Sequence, residues 1–355
     1  MTDTLFRIEG RAGHITLNRP EALNALTHEQ VLAIEAQLLD WREDDAVELV
    51  LIDGAGERAF CAGGDIQKLY ETGRAGDFTY GRQFWADEYR LNALIWNYPK
   101  PYVAIMHGFV MGGGVGVSAL GSHRIVTDGT QVAMPECGIG LIPDVGGSMM
   151  LGCAPGRLGE YLGTTGARMG PGDAIFATFA DTYVPAERIE ALKTALCTDG
   201  IDAIEEFAEP AEKGPLQADM EKIDRHFGGE TAMDIVRSLT HEGGAWEEAA
   251  LAKMRKGAPL AVAAAVETIH RSRSLGRMED ALALEYRFTA RCMERGEFLE
   301  GVRAAVIDKD RDPQWAVARL EDLPQVRVTQ MLMPLGADEL TFPAPAMVGA
   351  TGRET

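Results

Sequence analysis

Two acidic residues lie in one apolar, glycine-rich segment, a setting that favours carboxylate chemistry. Glu136 follows the dipeptide Met-Pro, and Asp144 lies in the segment PDVGG eight residues later. Apolar surroundings raise the pKa of a carboxyl group and suit it to acid/base work. Each residue also has a structural interpretation, in which Glu136 ends a strand and Asp144 caps the following helix. The pair therefore predicts catalysis by two carboxyl groups, with capping as the alternative.

Two glycine-rich turns are able to present free backbone amides to a ligand. Gly64 lies in FCAGGDI and Gly113 in HGFVMGGGVGVS, and each segment follows a strand-like run and precedes a helical one. Glycine permits close backbone approach, and the first amides of a helix have no partner within it. One amide from each turn would form an oxyanion hole, in which two donors point at one carbonyl oxygen. A plain tight turn with Asp65 as helix cap is the alternative for the first segment.

Other kinds of site are disfavoured by residue spacing. The glycines follow neither the G-x-G-x-x-G dinucleotide pattern nor the phosphate-binding G-K-[ST] pattern, and no G-x-S-x-G nucleophile elbow occurs. The five cysteines lack the paired spacings of a zinc site, so we expect reduced thiols and no metal. Cys61 has no basic neighbour to activate it, and His107 stands beside a glycine. We expect both to be packing residues rather than catalytic ones.

Composition and charge limit the classes of partner. The chain has 355 residues, 46% hydrophobic and 25% charged, with a formal net charge of −20. That charge disfavours nucleic acid and anionic membranes, although local groups and backbone amides can still hold an anionic small ligand. No uncharged apolar run reaches the roughly eighteen residues of a membrane span, and the first residues lack the features of a signal peptide. These features predict a cytoplasmic protein.

The elements that must position these residues fall into three stretches. Up to about residue 200, short strand-like runs alternate with helical patterns, which is typical of an α/β fold with a largely parallel sheet. Thr27 and Gln30 have the spacing of a capping box and predict a helix start. We predict a core over residues 1–200, a helical region over 201–320 that covers the site, and a loosely ordered tail over 321–355.

Taken in order, the motifs resemble the crotonase (enoyl-CoA hydratase/isomerase) superfamily. The segments ITLNRPEALNAL, FCAGGDI and KPYVAIMHGFVMGGGVGVS match its pattern. Within it, MPE, IGLIPDVGG and the later EGVRAAVIDKDRDPQW are similar to the 3-hydroxyisobutyryl-CoA hydrolase group. The resemblance implies a crotonase-like spiral of ββα units with a helical C-terminal region. It also implies an acyl-CoA thioester as ligand, with no cofactor besides the coenzyme A of the substrate.

The resemblance assigns roles to particular residues. Gly64 and Gly113 match the two oxyanion-hole amides, and Glu136 and Asp144 match the catalytic acidic pair. Glu88 matches a substrate-binding glutamate, and Gly113, Glu136 and Asp144 belong to the same implied binding set. We expect Glu88 to contact the substrate's 3-hydroxyl group or to organise the pocket, without taking part in cleavage of the thioester bond, and a structural salt bridge is the alternative. Glu136 either attacks the carbonyl group or activates water, and the residues leave both routes open.

Three basic residues, Arg19, Arg58 and Lys68, flank the segments that hold coenzyme A in the superfamily. They are candidates for binding its phosphates, with plain solvation as the alternative. Homo-oligomers are common in the superfamily, but a longer helical C-terminus could replace contacts between subunits, so the oligomeric state stays open.

One position departs from the hydratases of the superfamily. These enzymes carry a first glutamate just beyond the glycine triplet, and the matching residue here is Gly116, which has no side chain to transfer a proton. The resemblance thus implies hydrolysis of a short, branched 3-hydroxyacyl-CoA, namely 3-hydroxyisobutyryl-CoA in valine catabolism. An enoyl-CoA or dienoyl-CoA isomerase and a non-catalytic acyl-CoA-binding protein are the alternatives.

Overall fold

The β-strands of the computed structural model, which describes residues 2–342, form two sheets. The strands are β1 (Thr4–Glu9), β2 (Ala12–Leu17), β3 (Leu49–Gly54), β4 (Ala59–Cys61), β5 (Tyr102–Met106), β6 (Phe109–Met111), β7 (His123–Val126), β8 (Gln131–Ala133) and β9 (Thr182–Tyr183). A six-stranded sheet has the order β1-β2-β3-β5-β7-β9, and a three-stranded sheet has the order β4-β6-β8. The β1–β2 pair is antiparallel, and every other pair is parallel.

The helices occupy the connections and the C-terminal half. They are α1 (His28–Glu43), α2 (Ile66–Arg74), α3 (Thr79–Trp96), α4 (Gly113–Gly116), α5 (Gly147–Cys153), α6 (Leu158–Thr165), α7 (Pro171–Phe176), α8 (Ile189–Asp199), α9 (Ile204–Phe207), α10 (Leu216–His226), α11 (Ala232–Glu242), α12 (Ala245–Met254), α13 (Pro259–Ser272), α14 (Met278–Arg295), α15 (Phe298–Val302) and α16 (Gln325–Leu332). None of these helices is long and apolar enough to cross a membrane.

Successive strands alternate between the two sheets. β3, β5 and β7 enter the larger sheet, and the strand after each of them enters the smaller sheet. A parallel neighbour can be reached only by a crossover, and here the crossovers contain the helices. This repetition is a spiral of ββα units, so the predicted fold class is confirmed.

Local sequence explains the main elements. All five residues of β5 are buried, as are Leu49 to Asp53 of β3, which is expected for parallel strands covered on both faces. Helix α1 begins at the predicted capping box: Gln30 N donates to Thr27 Oγ1 at 3.2 Å, and Thr27 N donates to Gln30 Oε1 at 3.1 Å. The three-residue strands β4 and β6 were not predicted, because AFC and FVM are too short to show a period.

The helical region packs directly onto the core. Helix α14 lies against α3, and α13 lies against α5 and α6. Phe298 of α15 contacts Trp85 of α3 edge to face, with ring centroids 5.5 Å apart. These contacts bring C-terminal helices to the same part of the core as the glycine-rich turns. The domain boundaries at residues 200 and 320 remain a prediction.

The stretch after residue 320 differs in part from the expected loose tail. Residues 325–332 form α16, which packs on α14 and buries Val328, Met331 and Leu332. These apolar residues have the i, i+3, i+4 spacing of a helix face, and their burial explains the order of this segment. Residues 343–355, the rest of the predicted tail, lie outside the described residues.

Candidate active site

Five of the predicted site residues line one cavity of about 270 Å³: Gly64, Glu88, Gly113, Glu136 and Asp144. Three aromatic side chains form much of its apolar wall, namely Phe84, Trp85 and Phe298. Phe298 belongs to α15, so the helical C-terminal region contributes to the cavity. The chain therefore brings motifs from the whole core together around one largely apolar cavity.

The two predicted oxyanion-hole amides are neighbours. Gly64 follows β4, and Gly113 begins α4 directly after β6, the strand that pairs in parallel with β4. A Cβ atom added to Gly113 would lie 3.3 Å from Gly64 N. Within the described residues, neither amide donates a hydrogen bond to a backbone carbonyl. The arrangement thus provides two free donors at the edge of the cavity, as stabilisation of an oxyanion requires.

The glycine triplet lets two carboxyl groups approach the backbone closely. Gly112 has a φ of 51°, in the left-handed region that favours glycine, and an added Cβ there would lie 3.0 Å from Glu136 Oε1. An added Cβ at Gly113 would lie 2.7 Å from Glu88 Oε1. A side chain at Gly113 would therefore displace the carboxyl group of Glu88 from its present position.

Glu136 begins a 3-10 turn (Glu136–Ile139) shortly after β8 rather than ending the strand. Its side chain is buried, and Oε2 has no hydrogen-bond partner within the described residues. Burial raises the pKa of this carboxyl group well above its ordinary value, and the nearby Asp144 raises it further. An unsatisfied buried polar group costs about 1–3 kcal/mol, and perturbed acids in a cleft are typical of functional sites.

Asp144 is buried and faces Tyr89 of α3. The Tyr89 hydroxyl donates to Asp144 Oδ2 at 2.7 Å. Burial raises the pKa of Asp144 to about 7, although the hydrogen bond from Tyr89 opposes this rise. The capping alternative for Asp144 is wrong, because the cap position of α5 is Gly146 and a different carboxyl group binds the amides there.

That group is Glu285 of α14, which the sequence analysis missed. It accepts hydrogen bonds from Gly146 N and Ser148 N, each at 2.9 Å. Glu285 is fully buried, and burial raises its pKa to about 8. A signal was available, because Glu285 shares the apolar face of α14 with Leu282 and Phe288, where a carboxyl group is unexpected.

Glu88 lies on α3, one residue before Tyr89, and its side chain is buried. Burial raises the pKa of Glu88 well above its ordinary value, and the charge of Asp144 adds to the rise. No cation contributes to that pKa, so the described residues give no support to the salt-bridge alternative. Glu88 is an uncompensated carboxyl group in the cavity wall.

Gly116 has no space for a larger side chain. An added Cβ would lie 2.7 Å from Asn92 Nδ2 and 2.8 Å from Val145 Cβ. Asn92 is itself fully buried on α3. The position of the first hydratase glutamate is therefore filled by two neighbouring side chains.

The three basic candidates for coenzyme A do not line the cavity. Arg19 pairs with Asp65 at 3.1 Å, so Asp65 binds this arginine instead of capping α2. Lys68 pairs with Glu29 at 3.2 Å and is half exposed, and Arg58 is exposed. Their role in binding phosphates stays a prediction.

The cysteines are free thiols, as expected. Cys61 is buried, and burial raises its pKa to about 12, so it remains protonated at neutral pH. A protonated thiol is a poor nucleophile, which agrees with the expected packing role.

Sequence comparison identifies relatives over nearly the whole chain. Residues 12–332 match the enoyl-CoA hydratase/isomerase family. The mitochondrial 3-hydroxyisobutyryl-CoA hydrolase of Danio rerio is 38% identical over 351 residues, which cover 96% of this chain and 91% of the relative. The Homo sapiens protein of the same name is 35% identical over 352 residues, with the same coverage of 96% and 91%. Both relatives are named mitochondrial, and the cytoplasmic location of this chain stays a prediction.

Solved structures show the same fold at full length. The enoyl-CoA hydratase from Rhodobacter sphaeroides 2.4.1 is 49% identical with a TM-score of 0.91, over 96% of this chain and 100% of that one. The carnitinyl-CoA dehydratase from Mycobacterium thermoresistibile is 42% identical with a TM-score of 0.92, over 96% and 99%. With these relatives, its ββα spiral and its cavity, the chain belongs to the enoyl-CoA hydratase/isomerase family, in the branch that contains the 3-hydroxyisobutyryl-CoA hydrolases.

Proposed function

We propose that the protein hydrolyses the thioester of a short, branched 3-hydroxyacyl-CoA, releasing 3-hydroxyisobutyrate and coenzyme A from 3-hydroxyisobutyryl-CoA, a step of valine catabolism. The observation that carries this proposal is the filled space at Gly116, which leaves no room there for a carboxylic acid side chain, while Glu136 and Asp144 line the cavity together with Glu88 and the two free amides. The hydratases of the superfamily use two glutamates, and this chain has glycine at the position of the first. Relatives of 35% to 38% identity that are named 3-hydroxyisobutyryl-CoA hydrolase support the same choice.

The backbone amides would bind the thioester carbonyl oxygen. Gly64 N–H and Gly113 N–H are free donors at the cavity edge, and the oxygen gains negative charge as the carbonyl carbon is attacked. Fixed donors stabilise that charge without reorganisation, and loss of one such donor typically costs about 2.7–4 kcal/mol in the barrier. Burial raises the pKa of Glu88 well above its ordinary value, which favours the protonated form, and a protonated carboxyl group is able both to donate to and to accept from the substrate's 3-hydroxyl group.

Glu136 and Asp144 would act as a coupled pair. Burial raises the pKa of Asp144 to about 7 and raises the pKa of Glu136 well above its ordinary value, so the two carboxyl groups titrate as a coupled pair in which one group can be ionised while the other holds a proton. The carboxylate of the pair attacks the carbonyl carbon to form a mixed anhydride, or it takes a proton from an attacking water molecule. The remaining proton is delivered to the departing coenzyme A sulfur. In the anhydride route, water then cleaves the anhydride and regenerates the pair.

The two alternative functions, an isomerase and a non-catalytic acyl-CoA-binding protein, account for fewer of the residues that line the cavity. An isomerase of the superfamily uses an additional acidic residue beyond the glycine triplet, and Gly116 stands there. A non-catalytic acyl-CoA-binding protein has no use for buried carboxyl groups, which reduce stability. The buried carboxyl group of Glu136, with one oxygen that has no hydrogen-bond partner among the described residues, therefore favours an enzyme.

The test is thiol release from 3-hydroxyisobutyryl-CoA, followed with a thiol reagent, beside hydration of crotonyl-CoA and dehydration of carnitinyl-CoA. We expect multiple turnovers with the first substrate, and only background with the others and with the Glu136→Gln variant. A chain that hydrates or dehydrates its substrate without releasing thiol would disprove the proposal. 3-Hydroxypropionyl-CoA belongs in the same panel, because one methyl group alters specificity by about 1–3 kcal/mol.

A further inference from the structure

Three side chains converge where helices of the C-terminal region end and begin. His226 is the last residue of α10, Glu242 is the last residue of α11, and Glu247 lies in the first turn of α12. Their nearest ligand-type atoms all lie within 4.8 Å of one another. None of the three residues lines the active-site cavity, so they form a separate cluster.

The imidazole of His226 is oriented toward the two carboxyl groups. Its Nδ1 atom is hydrogen-bonded to Ser238 Oγ at 2.9 Å, which fixes the ring. Its Nε2 atom is buried and has no hydrogen-bond partner within the described residues. The side chain of His226 is only 1% exposed, so water cannot readily replace the missing partner.

The distances fit metal ligands better than a hydrogen bond. His226 Nε2 lies 3.6 Å from Glu242 Oε2 and 3.5 Å from Glu247 Oε1. An N–H···O hydrogen bond spans about 2.7–3.2 Å. Two ligand atoms bound tetrahedrally at about 2.0–2.1 Å are roughly 3.4 Å apart. In the tautomer in which Nδ1–H donates to Ser238 Oγ, Nε2 presents a lone pair to the carboxylate oxygens, and a shared cation would stabilise that arrangement.

Neighbouring residues hold the proposed ligand side chains in place. Arg225 Nη1 pairs with the other oxygen of Glu242, Oε1, at 2.9 Å, and Trp246 lies over the His226 ring with centroids 6.2 Å apart. Support of ligands by outer hydrogen bonds is usual in metal sites. One imidazole with two carboxylates suits Zn²⁺ and related transition-metal ions, whereas Ca²⁺ and Mg²⁺ take oxygen ligands.

We propose that His226, Glu242 and Glu247 form a binding site for Zn²⁺ or a similar divalent transition-metal ion that joins α10, α11 and α12. Trp246 also stacks on Tyr161 of α6, with centroids 5.8 Å apart, so the site would stabilise the packing of these helices on α6. The cysteine pattern predicted no metal site, and this site uses no cysteine. Its ligands come from three helices, and His226 lies well before the two glutamates in the sequence.

The test uses tag-free protein from which metal has been removed with a chelator. We expect titration with Zn²⁺ alone, followed by calorimetry, to show one ion bound per chain at micromolar concentration or below. Zn²⁺ should also raise the melting temperature, and Co²⁺ should give the visible absorption of a tetrahedral site. Failure of the stripped protein to take up Zn²⁺ in this range would disprove the proposal.

Variants locate the ion. Glu242→Gln removes one ligand from a partly exposed position, and Glu221→Gln is the matched control, because exposed Glu221 pairs with the same Arg225 at 3.1 Å. We expect Zn²⁺ affinity to fall about tenfold or more in Glu242→Gln and less than about twofold in Glu221→Gln. Glu247→Gln should resemble Glu242→Gln. Equal affinities in Glu242→Gln and Glu221→Gln would overturn the assignment, and circular dichroism of both variants shows that the fold is retained.

Discussion

At the scale of single residues, three carboxyl groups line the cavity, and a fourth, that of Glu285, binds the backbone of the turn just after Asp144. Glu88, Glu136, Asp144 and Glu285 are all buried, and burial is the main cause that raises the pKa of each. No basic side chain contributes to any of these pKa values. Such a grouping reduces stability and is retained where the protons are used in chemistry. The proposed reaction uses two of them directly.

We expect Glu136→Gln and Asp144→Asn each to lower kcat by on the order of 10²- to 10⁴-fold, because each removes one member of the acid/base pair. Both amides nearly keep the shape of the acid, so melting curves should show an intact fold. The measurement is kcat for thiol release. A single turnover in ¹⁸O-water, with label found in Glu136, distinguishes the anhydride route from general-base catalysis. Full activity in Glu136→Gln would rule out the mechanism.

At the scale of elements, helices α3 and α14 fix the position and acidity of Asp144. Tyr89 of α3 donates to its carboxyl group, and Glu285 of α14 holds the amides of the following turn. The hydrogen bond from Tyr89 lowers the pKa of Asp144 and thereby opposes the effect of burial. The ionisation of the pair therefore depends on how these two helices pack.

We expect Tyr89→Phe to shift the acidic limb of the profile of kcat/KM against pH to higher pH. Without the donated hydrogen bond the pKa of Asp144 rises, so less carboxylate is present at pH 7 and activity recovers as the pH is raised. Tyr286→Phe is the matched control, because Tyr286 of α14 donates to Arg82 O and not to Asp144. A uniform loss of activity at every pH in Tyr89→Phe would indicate a packing role instead.

At the scale of the whole molecule, the buried acids link stability to pH. The native state retains protons on Asp144 up to about pH 7 and on Glu285 up to about pH 8. The unfolded chain releases them near pH 4. Between these limits the native state binds more protons than the unfolded state, so the free energy of unfolding falls as pH rises. The net charge of −20 acts in the same direction through self-repulsion.

We expect the midpoint of urea unfolding to decrease steadily from pH 5 to pH 8. Salt at about 0.5 M should weaken the contribution of net charge to this pH dependence, because surface charges are screened far more than buried ones. The contribution of the buried acids to the pH dependence should remain. In high salt, Asp144→Asn should reduce the slope of the urea midpoint against pH, since it removes one of the titrating groups. A midpoint that is constant or rises over this range would contradict the assigned burial.

The sequence was sufficient for the features that depend on neighbouring residues. The strand-turn-helix segments around Gly64 and Gly113 are local, because glycine and apolar periodicity act over a few residues. The capping box of Thr27 and Gln30 and the absence of a side chain at Gly116 are local in the same sense. From these features and the motif order, the fold class and five of the residues that line the cavity were predictable.

The tertiary structure decided which alternative each polar residue adopts. Asp65 and Asp144 both had the sequence position of helix caps, yet Arg19 binds the first and Tyr89 the second. Glu285 takes over the capping of α5 although it lies 137 residues from Ser148 in the chain. Such partners are chosen by burial and by the packing of distant helices, which no local pattern records, because a buried carboxyl group binds whichever donor the fold brings within hydrogen-bond distance.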